Sequence, residues 1–142
     1  MLRTPTPIVT DRWQSLRRYA IVALAFYWLL LFAGTHYPKP PNMGSETADK
    51  YLHFGAYAGL GFLLCAWRAA TVRPRWLQVL GMIGLLAIYG ALDEISQTIV
   101  GRDCQLGDWY ADVAGATVGI GLVLAIRPLL VALGGRREIS LP

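Results

Sequence analysis

Four apolar stretches, separated by links of very unequal charge, leave this chain few ways to fold. They run over residues 19–34, 51–67, 76–92 and 113–133. A bilayer core of roughly 30 Å takes about 20 helical residues, and each stretch approaches that once its flanking Trp, Tyr and half-buried polar residues are counted. Only 15% of the 142 residues are charged, against about 25% in soluble domains, so the surface is not built for water. Nothing alternates as the strands of a closed membrane barrel must. The expected fold is all-α, an integral-membrane four-helix bundle. The length suits one such domain, with 1–18 a basic N-terminal segment, 19–133 the membrane domain and 134–142 a basic tail. The first stretch has a basic leader like that of a signal peptide. It runs on into Thr35-His36-Tyr37-Pro38 without a small-x-small cleavage site, so it reads as an uncleaved anchor.

Charge orients the helices. Arg3, Arg12, Arg17 and Arg18 precede the first stretch; Arg68, Arg73 and Arg75 link the second to the third; Arg127, Arg136 and Arg137 lie toward the end. Ten of the thirteen basic residues thus lie on one side, while the other two links hold seven of the nine acids. The positive-inside rule then puts both termini in the cytoplasm. The topology that follows is a multi-pass membrane protein with the middle link inside as well. The basic residues form no continuous face, which argues against nucleic acid as a partner. Cys65 and Cys104 make neither a disulfide framework nor a zinc motif.

Polar residues are costly in lipid, so their placement carries the functional information. Asp49, His53 and Tyr57 recur at four-residue spacing, with Lys50 adjacent. Tyr89, Asp93 and Gln97 repeat that spacing with Glu94 adjacent, and Asp108 and Asp112 repeat it again. Four-residue spacing places each set on one helix face. Three helices therefore present polar stripes at one depth, and stripes that face one another form a pocket open to the outside. Lys50 and Arg102 are its expected counter-charges. Gly55 and Gly59, and likewise Gly115 and Gly119, are four apart, a spacing that lets helix backbones approach closely.

These motifs carry a resemblance. Asp49-Lys50-Tyr51-Leu52-His53-Phe54, then Asp93-Glu94-Ile95-Ser96-Gln97, Arg102, and the run from Asp108 to Gly115 resemble the VanZ-like family. The similarity lies in a DKxxHF start, a DExxQ helix end, an Arg six residues before an Asp, and a following Asn-x-x-Gly. It spans roughly residues 49–121. Asp112 stands where the family pattern has Asn, and the extra acid changes the charge balance of the pocket. The resemblance implies a cell-envelope protein of the bacterial cytoplasmic (inner) membrane, of a type associated with low-level teicoplanin resistance, without fixing a biochemical activity.

The residues leave several readings open. Arg102, Lys50 and His53 suit an anionic headgroup or peptide carboxylate, and this is the favoured expectation: a lipid-linked or cell-wall component bound in the polar pocket. The carboxylates with His53 also suit a divalent ion or acid–base chemistry on a lipid headgroup or cell-wall precursor, although no HExxH or GxSxG motif occurs. A structural or accessory subunit of a membrane complex is the third reading. Partners are accordingly membrane lipids, a cell-wall precursor or another membrane protein, and no cofactor is named. Ser96 has no evident base partner, and His36 reads as solvated. Trp109 and Tyr110 read as interfacial aromatics, and Lys39-Pro40-Pro41 as a stiff connector.

Overall fold

A computed structural model describes residues 8–37, 46–70 and 72–136. The Lys39-Pro40-Pro41 connector, Arg3 and Arg137 lie outside them, as do the side chains of Arg12 and Arg136. The described residues form helices joined by short turns and links. They comprise α1 (Ile8–Thr35), α2 (Glu46–Ala69), α3 (Trp76–Gln97) with a 3-10 turn (Thr98–Val100), and α4 (Leu106–Arg136).

Three segments are long and apolar enough to cross a membrane: Gln14–Thr35 in α1, Trp76–Val100 in α3 and its turn, and Leu106–Leu129 in α4. Their outward residues are large and apolar, with Val22, Phe26 and Leu29 exposed on α1 and Leu122 and Leu129 exposed on α4. Such surfaces belong in lipid, where leaving them outside costs nothing. The second expected span, α2, is not among the three. Its composition explains this, since Glu46, Asp49, Lys50 and His53 occupy its first turns and Arg68 its last. α2 packs on α1, α3 and α4, so much of its surface meets protein and it needs less apolar surface of its own.

α2 and α4 run parallel, because Phe54 lies at Gly115 and Ala58 at Gly119. A Cβ on Gly115 would strike the Phe54 carbonyl, one on Gly119 the Ala58 carbonyl, and one on Gly61 the Ala116 carbonyl. Backbone touches backbone along this seam, which only glycine permits. The expected pairing of small residues therefore holds on α4 and changes on α2. Gly59 faces Tyr27 of α1, whose hydroxyl donates to the Ala56 carbonyl at 2.9 Å. Gly55 is exposed, and a Cβ there would meet nothing within 4 Å. Gly61 packs where Gly55 was expected to.

Below the polar residues the core is apolar, with Tyr57, Leu60, Cys65, Leu86, Ala116, Ile120 and Val123 buried together. At the basic end, the Arg17 guanidinium lies over Trp67 at 5.4 Å, and Arg127 Nε donates to the Ala69 carbonyl at 3.2 Å. A cation at the close of α2 suits the negative end of the helix dipole.

Candidate functional site

At the opposite end, the close of α1 and α3 meets the start of α2 and α4. The turn after α3 sets the geometry. Gly101 takes φ 76°, with its N–H on the Thr98 carbonyl, and the Arg102 N–H reaches the Gln97 carbonyl at 3.2 Å. This is the Schellman arrangement, which needs a left-handed residue that glycine adopts without strain. It turns Arg102 back over the bundle. There Nη1 donates to the Thr35 carbonyl at 3.1 Å and Nη2 reaches both Asp49 oxygens at 3.3 Å.

Asp49, His53, Asp93, Glu94, Gln97, Asp108 and Asp112 are all buried, so the three expected stripes do converge. His53 Nδ1 lies 2.9 Å from Asp112 Oδ1 and 3.7 Å from Glu94 Oε1. Gln97 Nε2 donates to Glu94 Oε1 at 3.1 Å and to Asp93 Oδ2 at 3.3 Å. The Gln105 N–H donates to Glu94 Oε2 at 3.0 Å, tying the start of α4 to α3. Tyr57 is fully buried beneath this layer and stacks on Tyr89, with ring centroids 6.0 Å apart. Lys50 is half-buried with its Cε against Gly107. Among the described residues Lys50 makes no ion pair, so Arg102 alone of the two expected counter-charges is engaged with an acid.

α1 also contributes, which the three-helix reading missed. Thr35 Oγ1 donates to Asp93 Oδ1 at 3.1 Å. His36 is not solvated: its ring stacks on Phe32 at 4.0 Å, Nδ1 lies 3.0 Å from the Phe32 carbonyl, and Nε2 lies 2.9 Å from Ser96 Oγ. Ser96 thus has an imidazole partner, and its hydroxyl also donates to the Asp93 carbonyl at 2.9 Å. The available signal was position, because Thr35 and His36 end an apolar stretch at the depth where the other stripes lie. Trp109 is likewise more than an interfacial aromatic, since its indole N–H donates to the Ala87 carbonyl of α3 at 2.8 Å. Tyr110 and Cys104 are exposed and Cys65 is buried.

Beside the polar cluster, a groove of about 360 Å³ runs between α1 and α2. Its walls are apolar, with Tyr27, Leu30, Leu31, Leu52 and Ala56, and its head is polar, with Thr35, Asp49, His53 and Arg102. Leu30 and Leu52 are exposed, so the groove opens sideways, toward whatever surrounds the helices.

Chemically, the head can offer guanidinium N–H groups, an imidazole and carboxylates within one small volume. Two trios could hold a metal ion: Asp49, His53 and Asp108, and His53, Glu94 and Asp112. No curated protein and no solved structure gives a significant match. The model of the VanZ/LLP1 family matches residues 3–127, nearly the whole chain. The match takes in every polar side chain of the cluster and nearly all of the three membrane-length segments, and the chain is therefore a membrane protein belonging to the VanZ/LLP1 family.

Proposed function

We propose that the protein binds a lipid-linked component of the bacterial envelope, with the polar end of that component at the head of the α1–α2 groove and its chain along the apolar walls. In this reading all four helices cross the inner membrane and the polar end of the bundle faces outward. The observation that carries it is the groove itself: about 360 Å³, polar at one end, apolar along its length and open at the side. That is the shape a headgroup with a hydrocarbon tail requires, because the tail need not leave the bilayer. Arg102 supports an anionic headgroup. A guanidinium has five N–H donors, and the bonds to Asp49 and Thr35 leave some of them for a phosphate or carboxylate. A role in glycopeptide susceptibility would follow if the bound component were a cell-wall precursor.

Gly34 offers a clean test. It lines the groove, and a Cβ there meets nothing within 4 Å, so Gly34→Leu fills the space without disturbing the fold. The probe is phosphatidylglycerol added to the detergent-solubilised protein and followed by native mass spectrometry. Gly34→Leu should lower the retained lipid by about tenfold or more, equivalent to about 1.4 kcal/mol, while Gly121→Leu, also in open space, leaves it unchanged. Equal retention in both variants would contradict the reading. Orientation is tested separately: in intact spheroplasts Cys104 should react with a membrane-impermeant thiol reagent, and Val72→Cys in a Cys104→Ser background should not.

A second reading draws on the buried His53–Asp112 pair at 2.9 Å. It makes the site an acid–base catalyst acting on the bound headgroup. It predicts turnover that is lost in His53→Gln while lipid retention persists.

A further inference from the structure

The acids at the polar end differ in how well they are supplied with donors. Asp93 accepts from Thr35 and Gln97, and Glu94 from Gln97 and the Gln105 backbone. On α4 the matching does not close. Asp112 Oδ1 is paired with His53, but Asp112 Oδ2 and Asp108 Oδ1 have no hydrogen-bond partner among the described residues. Asp108 is 3% exposed and Asp112 is fully buried, so water does not freely solvate them. A buried carboxylate oxygen without a donor is costly, and a cation is the natural remedy.

Asp49, His53 and Asp108 each offer one ligand atom, and these atoms lie within 4.8 Å of one another. His53 Nδ1 is committed to Asp112 at 2.9 Å, which leaves Nε2 as the nitrogen with a lone pair to give. A carboxylate on one imidazole nitrogen, fixing the tautomer that binds through the other, is the usual support of a metal-ligating histidine. We infer that Asp49, His53 and Asp108 form a divalent-cation site, with Asp112 positioning His53. The other trio is the weaker choice, because two of its members, His53 and Asp112, are already paired with each other at 2.9 Å.

Charge agrees. Asp49, Asp93, Glu94, Asp108 and Asp112 are buried together, and among the described residues no lysine or arginine is ion-paired to Asp93, Glu94, Asp108 or Asp112. Buried charge of one sign demands an opposite charge. A carboxylate has about four lone-pair positions, so Asp49 can serve Arg102 and an ion together. One imidazole with two carboxylates favours zinc or manganese over magnesium or calcium. Three protein ligands leave a coordination position free, and since Asp49 and His53 both line the groove, that position faces its head. A headgroup phosphate at that position depends on the lipid reading above; the ion site does not.

The test uses the whole chain in mild detergent, stripped with EDTA and titrated with zinc chloride by calorimetry, with metal content read after dialysis. Wild type should take up one ion per chain. Asp108→Asn, which preserves size, should weaken binding by about tenfold to a hundredfold, and Asp103→Asn, at an exposed position, should not change it. Absence of stoichiometric uptake by wild type, or equal affinity in Asp108→Asn, overturns the inference. Should Asp108→Asn fail to fold, the wild-type melting temperature decides: a rise with zinc that EDTA reverses supports the site, and no rise overturns it. Gly34→Leu separates the two proposals, because it should lose lipid and keep zinc.

Discussion

α3 and α4 each deliver two acids to the same end of the bundle, and they do so with opposite economy of hydrogen bonds. Asp93 and Glu94 are answered oxygen by oxygen by Thr35, Gln97 and Gln105, so they join α1, α3 and α4. Asp108 and Asp112 each keep a buried oxygen without a donor among the described residues. All four look alike in the sequence, as acids at the rim of apolar stretches. What separates them is whether neighbouring helices bring donors. The α3 pair is built to hold the helices in place, whereas the α4 pair is built around something further.

The variants that probe this contrast fall in order of effect. Asp93→Ala should destabilise most, because it removes the acceptor that the Thr35 hydroxyl and the Gln97 amide share; each hydrogen bond lost to a charged group costs about 1.5–3 kcal/mol. Thermal unfolding in detergent should show a clear fall in Tm, and an unchanged Tm would erase the distinction. Gly90→Ala comes next. Its Cβ would stand 3.1 Å from Asp112 Oδ2 and 3.4 Å from Tyr57 Cε1, so it should cost about 1 kcal/mol through overpacking. It should also loosen the His53–Asp112 bond, visible as a shift of the His53 ring nitrogens by NMR. Asp108→Asn should be smallest, within about 1 kcal/mol of wild type in metal-free buffer, because its Oδ1 gives up no bond found among the described residues and a neutral amide removes a buried charge. A Tm loss as large as that of Asp93→Ala would show that the α4 acids are structural too.

Much of this was legible in the sequence, for definable reasons. The apolar stretches and their lengths follow from bilayer physics, and four-residue spacing placed Asp49 with His53, Asp93 with Gln97, and Asp108 with Asp112 on shared faces. The family resemblance rested on those same residues, and the family match extends over residues 3–127. What stayed hidden depended on rotation and partners. Gly55 and Gly115 are equivalent by spacing, yet one is exposed and the other lies against the Phe54 carbonyl, because helix rotation about its axis cannot be read from a repeat of four. His36 and Ser96 lie 60 residues apart and meet only because α1 and α3 end together. The groove is a property of two helices at once, and no single stretch encodes it.

In the proposed function, the head of the α1–α2 groove holds the polar end of a membrane component. Determining the structure of the protein in lipid nanodiscs by electron cryomicroscopy would test it most directly. Density for a headgroup is expected against Arg102 and His53, continuing as a chain past Leu30, Leu31 and Ala56. A groove closed by its own side chains, or ordered lipid only on the outward faces of α3 and α4, would contradict it.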